Sequence, residues 1–158
     1  KSKIIKDNNI RFNINFKIGE DLLFNLEYAN YASNYEYITQ PLYKYNVETV
    51  GSALKLTRLS YIHDYTQIYN YLLTYYSEKK FEKYKDVVYF MNGMFMNLAG
   101  ADYDLKHPFI EEFEKSQLYT DISKASLTSK KLKLKQWFIV KHIYRNRFMK
   151  EFVKRVFI

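Results

Sequence analysis

The sequence predicts a predominantly α-helical protein with a small α/β part at its N-terminal end, and three observations carry that expectation. Four Gly and two Pro in 158 residues leave few places for sharp turns, which favours long helices over a many-stranded sandwich. After Gly51, apolar residues recur at three- and four-residue steps, the period of one helix face. Before Gly51 the texture changes to short alternating segments around one helical stretch.

Taken in chain order, Asn13 to Ile18 alternates polar and apolar residues and reads as extended. Asp21 to Tyr31 carries Leu22, Leu23, Leu26, Tyr28 and Ala29 on a helical period. Tyr35 to Ile38 and Leu42 to Tyr45 flank Gln40-Pro41 and read as two short extended segments joined by a turn. Leu59, Ile62, Tyr65, Tyr69, Leu72 and Tyr76 then mark one face of a helix of about 25 residues. The charged break Ser77-Glu78-Lys79-Lys80 separates it from a second helix striped by Tyr84, Val87, Val88, Met91, Met94, Phe95 and Leu98. That helix should end near Gly100, a residue suited to a left-handed C-terminal cap. Pro108 fits the first turn of a short acidic helix through Glu111, Glu112 and Glu114. Ser123 to Ser129 reads as a loop, and a last helix is expected from Lys130 onward. The resulting division is 1–52, 53–128 and 129–158, the last being a basic C-terminal helix.

Composition narrows the chemistry. A chain of this length buries roughly 70% of its unfolded surface, enough for a core without a disulfide or zinc staple. The absence of Cys excludes a cysteine nucleophile, an iron–sulfur cluster and a thiolate zinc site. The longest apolar run, Val87 to Met91, is far short of the roughly 20 residues of a spanning helix. The first residues, Lys1-Ser2-Lys3-Ile4-Ile5-Lys6-Asp7, lack the apolar core of a signal peptide, and a start at Lys reads as that of a cropped or processed chain. The formal charge is +8, but it is unevenly placed. From Lys130 to Ile158 there are ten Lys or Arg and one acid, Glu151, so the tail carries +9 and the rest −1. Such a tail favours a phosphate-rich partner, an anionic membrane surface before a nucleic acid.

Gly19-Glu20-Asp21 is the tripeptide with the most chemistry in it. Two carboxylates follow a glycine and open an apolar helix, where backbone N–H groups and the helix dipole stabilise negative charge. Plain helix capping accounts for that spacing, and so does a carboxylate held to take a proton from a substrate hydroxyl. Spacing alone leaves both open. Elsewhere the signals are weaker. Asp102-Tyr103-Asp104 has the spacing of a metal motif but lies at a predicted helix boundary, where Asp is common for capping. His63, His107 and His142 are scattered without a metal-binding spacing, and no Gly-x-Ser-x-Gly elbow occurs. Tyr43 and Tyr45 form a Tyr-x-Tyr pattern, which is more often just a half-buried strand.

The surrounding residues form a recognisable pattern. Asn8-Asn9-Ile10-Arg11-Phe12-Asn13, then Ile18-Gly19-Glu20-Asp21-Leu22-Leu23-Phe24-Asn25-Leu26, then Tyr37-Ile38, Pro41-Leu42-Tyr43-Lys44-Tyr45-Asn46 and Ser52 resemble the later part of family 2 glycosyltransferases. Bacterial members that build capsular and other surface polysaccharides are the most similar. The resemblance covers residues 8 to 52 and continues only as a helical C-terminal extension. It implies an acceptor-side remnant of a GT-A type fold followed by a helical bundle. It also implies that Asp21 is the base that deprotonates the acceptor hydroxyl, with Glu20 binding the acceptor or orienting the base, and with Tyr43 and Tyr45 lining the acceptor groove. The reaction would be an inverting displacement from a nucleotide sugar to a glycan or lipid-linked acceptor. Donor nucleotide and Mg²⁺ or Mn²⁺ would belong to an N-terminal half that precedes this segment, so the chain alone is expected to be inactive. Asp102-Tyr103-Asp104 comes after Glu20-Asp21, the wrong order for the family's metal motif.

Trp137, Val140, Tyr144, Phe148 and Phe152 place an apolar stripe along the tail, imperfectly segregated from Lys141, Arg145 and Arg155. Docking on an anionic membrane surface and packing on the protein's own body are both compatible with that stripe. No nucleic acid partner is expected, and the setting implied is cytoplasmic, peripheral at the inner face of the cell membrane. The competing reading of the whole chain is a non-catalytic helical interaction module that docks through residues 130–158 to membrane or an acidic partner.

Overall fold

Nearly every apolar stripe after residue 58 becomes a helix. The computed structural model describes residues 2–42, 58–78, 83–102, 104 and 106–157, and the chain divides into two compact units, Lys1–Leu56 and Thr57–Ile158. The protein is predominantly helical, and no strand occurs among the described residues.

In the first unit, α1 (Ser2–Asp7) and α2 (Glu20–Tyr31) pack together. The expected extended segment over Asn13 to Ile18 is a turn instead. Asn13 Oδ1 accepts from Asn15 N–H at 3.1 Å and Phe16 N–H donates to Asn13 O at 3.3 Å, the local bonding by which Asn competes with a strand ladder. Tyr35 to Ile38 is irregular and exposed and pairs with no strand, so the α/β texture expected before Gly51 is absent from the described residues. Tyr43, Tyr45 and Ser52 lie outside them.

The second unit is built around α4 (Lys83–Gly100), which packs against α3 (Leu59–Glu78), α6 (Gln117–Lys124), α7 (Lys130–Val140) and α8 (Arg147–Phe157). Its central place follows from sequence: Val87, Phe90, Met91, Met94, Phe95, Leu98 and Ala99 are all buried, an apolar surface too broad for one neighbour to cover. α3 presents Ile62, Tyr69 and Leu72 to the core, and α5 (Pro108–Glu114) packs on α3 through Ile110 and Phe113. Where α3 crosses α4, the Tyr65 ring occupies the space beside Gly93. A Cβ at Gly93 would lie 2.4 Å from Tyr65 Cζ, which explains a glycine in a helix interior that would otherwise favour Ala.

Termini follow capping chemistry with one departure. Pro108 sits in the first turn of α5 and His107 Nδ1 accepts from Phe109 N–H at 3.3 Å. Gly100 does not take the left-handed conformation expected of it; α4 runs through it, and the carbonyl of Ala101 beyond is served by the Nζ of Lys150 from α8. The loop expected from Ser123 is shortened at its start by α6, whose cap is Ser116 Oγ accepting from Tyr119 N–H at 3.2 Å.

The basic tail is two helices and not one. His142 adopts φ 51°, ψ 34°, a left-handed conformation that ends α7, and one 3₁₀ turn, Ile143–Arg145, leads into α8. The expected stripe is therefore split: Tyr144 is buried, whereas Phe148 and Phe152 face solvent. No described helix is long and apolar enough to cross a membrane.

Candidate functional site

The Glu20-Asp21 pair stands on a turn that only glycine enters without strain. Gly19 has φ 74°, ψ 8°, and its carbonyl accepts from Leu23 N–H at 3.1 Å, the first bond of α2. Gly19 therefore holds the cap position, and both carboxylates lie in the first helical turn instead of at the cap. Glu20 is half-buried and Asp21 exposed. Asp21 Oδ1 accepts from Leu22 N–H at 2.8 Å, and the carboxylate has no further partner among the described residues.

Two contacts hold the neighbouring segments on α2. Phe12, from the Asn8 to Asn13 stretch, stacks on Phe24 with ring centroids 4.3 Å apart and planes 7° from parallel. Tyr35 donates its hydroxyl to Ala29 O at 2.5 Å, tying the departing chain to the end of the helix. Of the four residues expected to form the site, Glu20 and Asp21 are adjacent on α2. Tyr43 and Tyr45 lie outside the described residues.

The second unit concentrates its polar groups differently. Glu114, at the end of α5, accepts from the Tyr144 hydroxyl and from Arg145 Nε at 3.1 Å and Nη2 at 2.6 and 2.8 Å. His142 Nδ1 lies 3.1 Å from Glu114 Oε1 and 2.9 Å from the Tyr144 hydroxyl, and His142 Nε2 lies 3.1 Å from the Tyr119 hydroxyl. Burial by itself would raise the Glu114 pKa. The hydrogen bonds from Arg145 and Tyr144, with the charges of Arg145 and His142, outweigh it and hold the carboxyl below the usual glutamate value. Tyr144 is pushed well above the ordinary phenol range by burial and by its bond to Glu114, so it stays protonated and donates. Nearby, Glu112 accepts from Gln67 and stands 2.7 Å from His63 Nδ1, whose ring stacks on Phe109.

These carboxylates are occupied. Glu114 already receives a bidentate arginine and a phenol, which makes it a clamp between α5 and the 3₁₀ turn and leaves it poorly placed to take a substrate proton. Sequence reasoning singled out neither cluster, because partners 23 to 49 residues apart leave no local spacing to read. The signal that was available is modest: a short helix bearing Glu112 and Glu114 among the few acids of a chain whose tail is strongly basic.

Among the described residues no three His, Cys, Asp or Glu side chains are arranged to hold a metal ion. Asp104 Oδ1 accepts from Lys106 N–H at 3.0 Å, the bonding of a turn. Against known proteins, the chain matches no family model, no curated protein and no solved structure.

Proposed function

We propose that the first unit is the acceptor-side segment of an inverting family 2 glycosyltransferase of bacterial surface polysaccharide synthesis, with Asp21 as its base. The observation that carries this reading is the helix start at Gly19: it presents the Asp21 carboxylate exposed, oriented by one N–H and otherwise unengaged among the described residues. Supporting it, Phe12 of the family-like loop stacks on Phe24 of the same helix, so that two of the segments that carry the resemblance, 8–13 and 18–26, meet at α2.

In this reading the acceptor hydroxyl gives its proton to Asp21 as its oxygen forms the new bond to the anomeric carbon. The bond from that carbon to the nucleoside diphosphate breaks on the opposite face, and the diphosphate leaves with the electron pair. Glu20, one position earlier in the same turn, binds the acceptor, and Tyr43 and Tyr45 line its groove. Donor nucleotide and divalent cation are held outside the described residues.

The test is transfer from nucleotide sugars to glycan and lipid-linked acceptors by the protein expressed from its native reading frame. Asp21→Asn should lower transfer by roughly 10²- to 10⁴-fold while binding of the nucleotide sugar persists. Transfer at the wild-type rate in that variant removes Asp21 from the role. Absence of transfer by the wild type across uridine, guanosine and thymidine diphosphate sugars favours the second reading, a non-catalytic helical module. That alternative is favoured by one observation, the exposed aromatic residues of α8.

A further inference from the structure

α8 carries two apolar edges with different surroundings. At 100° per residue, Met149, Val153 and Phe157 fall together on one edge, and Phe148, Phe152 and Val156 on the next. The first edge packs on the unit: Val153 is buried and Phe157 meets Phe95 edge-on, centroids 6.1 Å apart. The second is a ridge at i, i+4 and i+8 whose members are 79%, 56% and 55% exposed. Arg155 borders it and Arg147 lies at the start of the same helix. Both are exposed and have no carboxylate partner among the described residues, and Glu151 is the one acid of α8.

We propose that the Phe148, Phe152 and Val156 ridge docks on an anionic lipid surface. The ridge would enter the boundary between headgroups and acyl chains while Arg147 and Arg155 stay with the phosphates. Charge complementarity selects this occupant. The tail from Lys130 carries +9, so a second copy seated on the same ridge would bring two like-charged segments together. Nucleic acid rewards cations and open aromatic faces, whereas here the centre of the surface is a continuous apolar edge completed by Val156 and the cations lie beside it. The inference concerns the second unit and does not depend on the role of Asp21.

Co-sedimentation of the whole chain with phosphatidylcholine vesicles, with and without about one third phosphatidylglycerol, tests it. Wild type should bind the anionic vesicles and bind the neutral ones far less. F148S/F152S should bind at least about tenfold more weakly with an unchanged circular dichroism spectrum and melting midpoint, since both side chains are exposed. R147Q/R155Q should lose about fivefold for each arginine at low salt. L134S/W137S, on the exposed edge of α7, should bind as wild type does. The proposal is overturned if wild type ignores anionic vesicles, if F148S/F152S binds them undiminished, or if only L134S/W137S loses binding. A dimer that F148S/F152S abolishes, or binding to duplex RNA in place of vesicles, would overturn it equally.

Discussion

Of the described apolar side chains that are buried, Ile10 and Leu23 belong to residues 1–56 and all the others to 57–158. The first unit exposes Phe12, Ile14, Tyr35, Tyr37 and Leu42 along irregular backbone, whereas the second buries Phe90, Phe95, Phe113 and Phe138 nearly completely. The polar groups differ in the same sense. Among the described residues, Asp21 has a carboxylate oxygen to spare, and Glu114 has every oxygen engaged. Among the described residues the packed core therefore lies in the second unit, and the proposed base lies in the first.

The comparison is broken most forcefully at the core. Phe95→Ala should cost about 3–5 kcal/mol, because Phe95 is fully buried against Phe138 and Phe157; Leu22→Ala, half-exposed on α2, should stay within about 0.5 kcal/mol. Chemical denaturation of the two variants checks the difference.

Next in size is the clamp. Glu114→Gln leaves Arg145 without its anion and should cost about 2–3 kcal/mol at neutral pH. Because the folded Glu114 carboxyl lies below its ordinary value of 4.5, the unfolded chain binds the proton more readily. The contribution is present in full above pH 4.5 and is lost as pH falls through the lower folded value. The stability gap between wild type and Glu114→Gln should therefore close in acid, a trend that melting curves from pH 7 down to pH 3 would follow. A gap that stays constant would mean that the clamp acts by packing and not by charge.

Smaller is Gly93→Ala. Helix propensity favours Ala by about 1 kcal/mol, yet the new methyl would collide with the Tyr65 ring, so a net loss of about 1–2 kcal/mol is expected. The same contact keeps the Tyr65 ring half-buried, and that burial foremost, with the neighbouring Tyr89 and Tyr61, pushes its hydroxyl up to about 12. If Gly93→Ala displaces the ring, ultraviolet titration should find that hydroxyl ionising at lower pH.

The smallest effect separates stem from charge at Lys150. Burial lowers its pKa, the Lys154 charge lowers it further, and Asp102 and Glu151 oppose that shift, while its Nζ serves Ala101 O. Lys150→Met keeps the apolar stem and should change stability, followed by thermal melting, by about 1 kcal/mol or less, whereas Lys150→Ala should lose about 1–2 kcal/mol.

What the sequence made legible follows from where its signals are local. The stripes of α3 and α4 announce themselves at i, i+3 and i+4, and Pro108 marks the start of α5, since helix period and capping are set within a few residues. The carboxylates of Glu20 and Asp21 were legible for the same reason: a glycine before two acids and a leucine pair is a local pattern. α6 was missed although Ser116, Leu118 and Ile122 have cap and helical spacing, because eight residues give too few repeats to stand out. The break at His142 was hidden by a stripe that continues through it. What ends α7 there is a residue at positive φ, held among Glu114, Tyr119 and Tyr144 by contacts remote in sequence. The strands expected near Asn13 failed because alternation was read without allowing for the Asn side chain, which bonds its own backbone.

The central claim, that chemistry lies in the first unit and stability in the second, is tested most directly by measuring transfer and melting on Asp21→Asn and Glu114→Gln side by side. The account predicts that Asp21→Asn loses transfer and melts as wild type, and that Glu114→Gln melts earlier yet transfers normally where it remains folded. Wild-type transfer by Asp21→Asn, or a lower melting midpoint from that substitution alone, would contradict it.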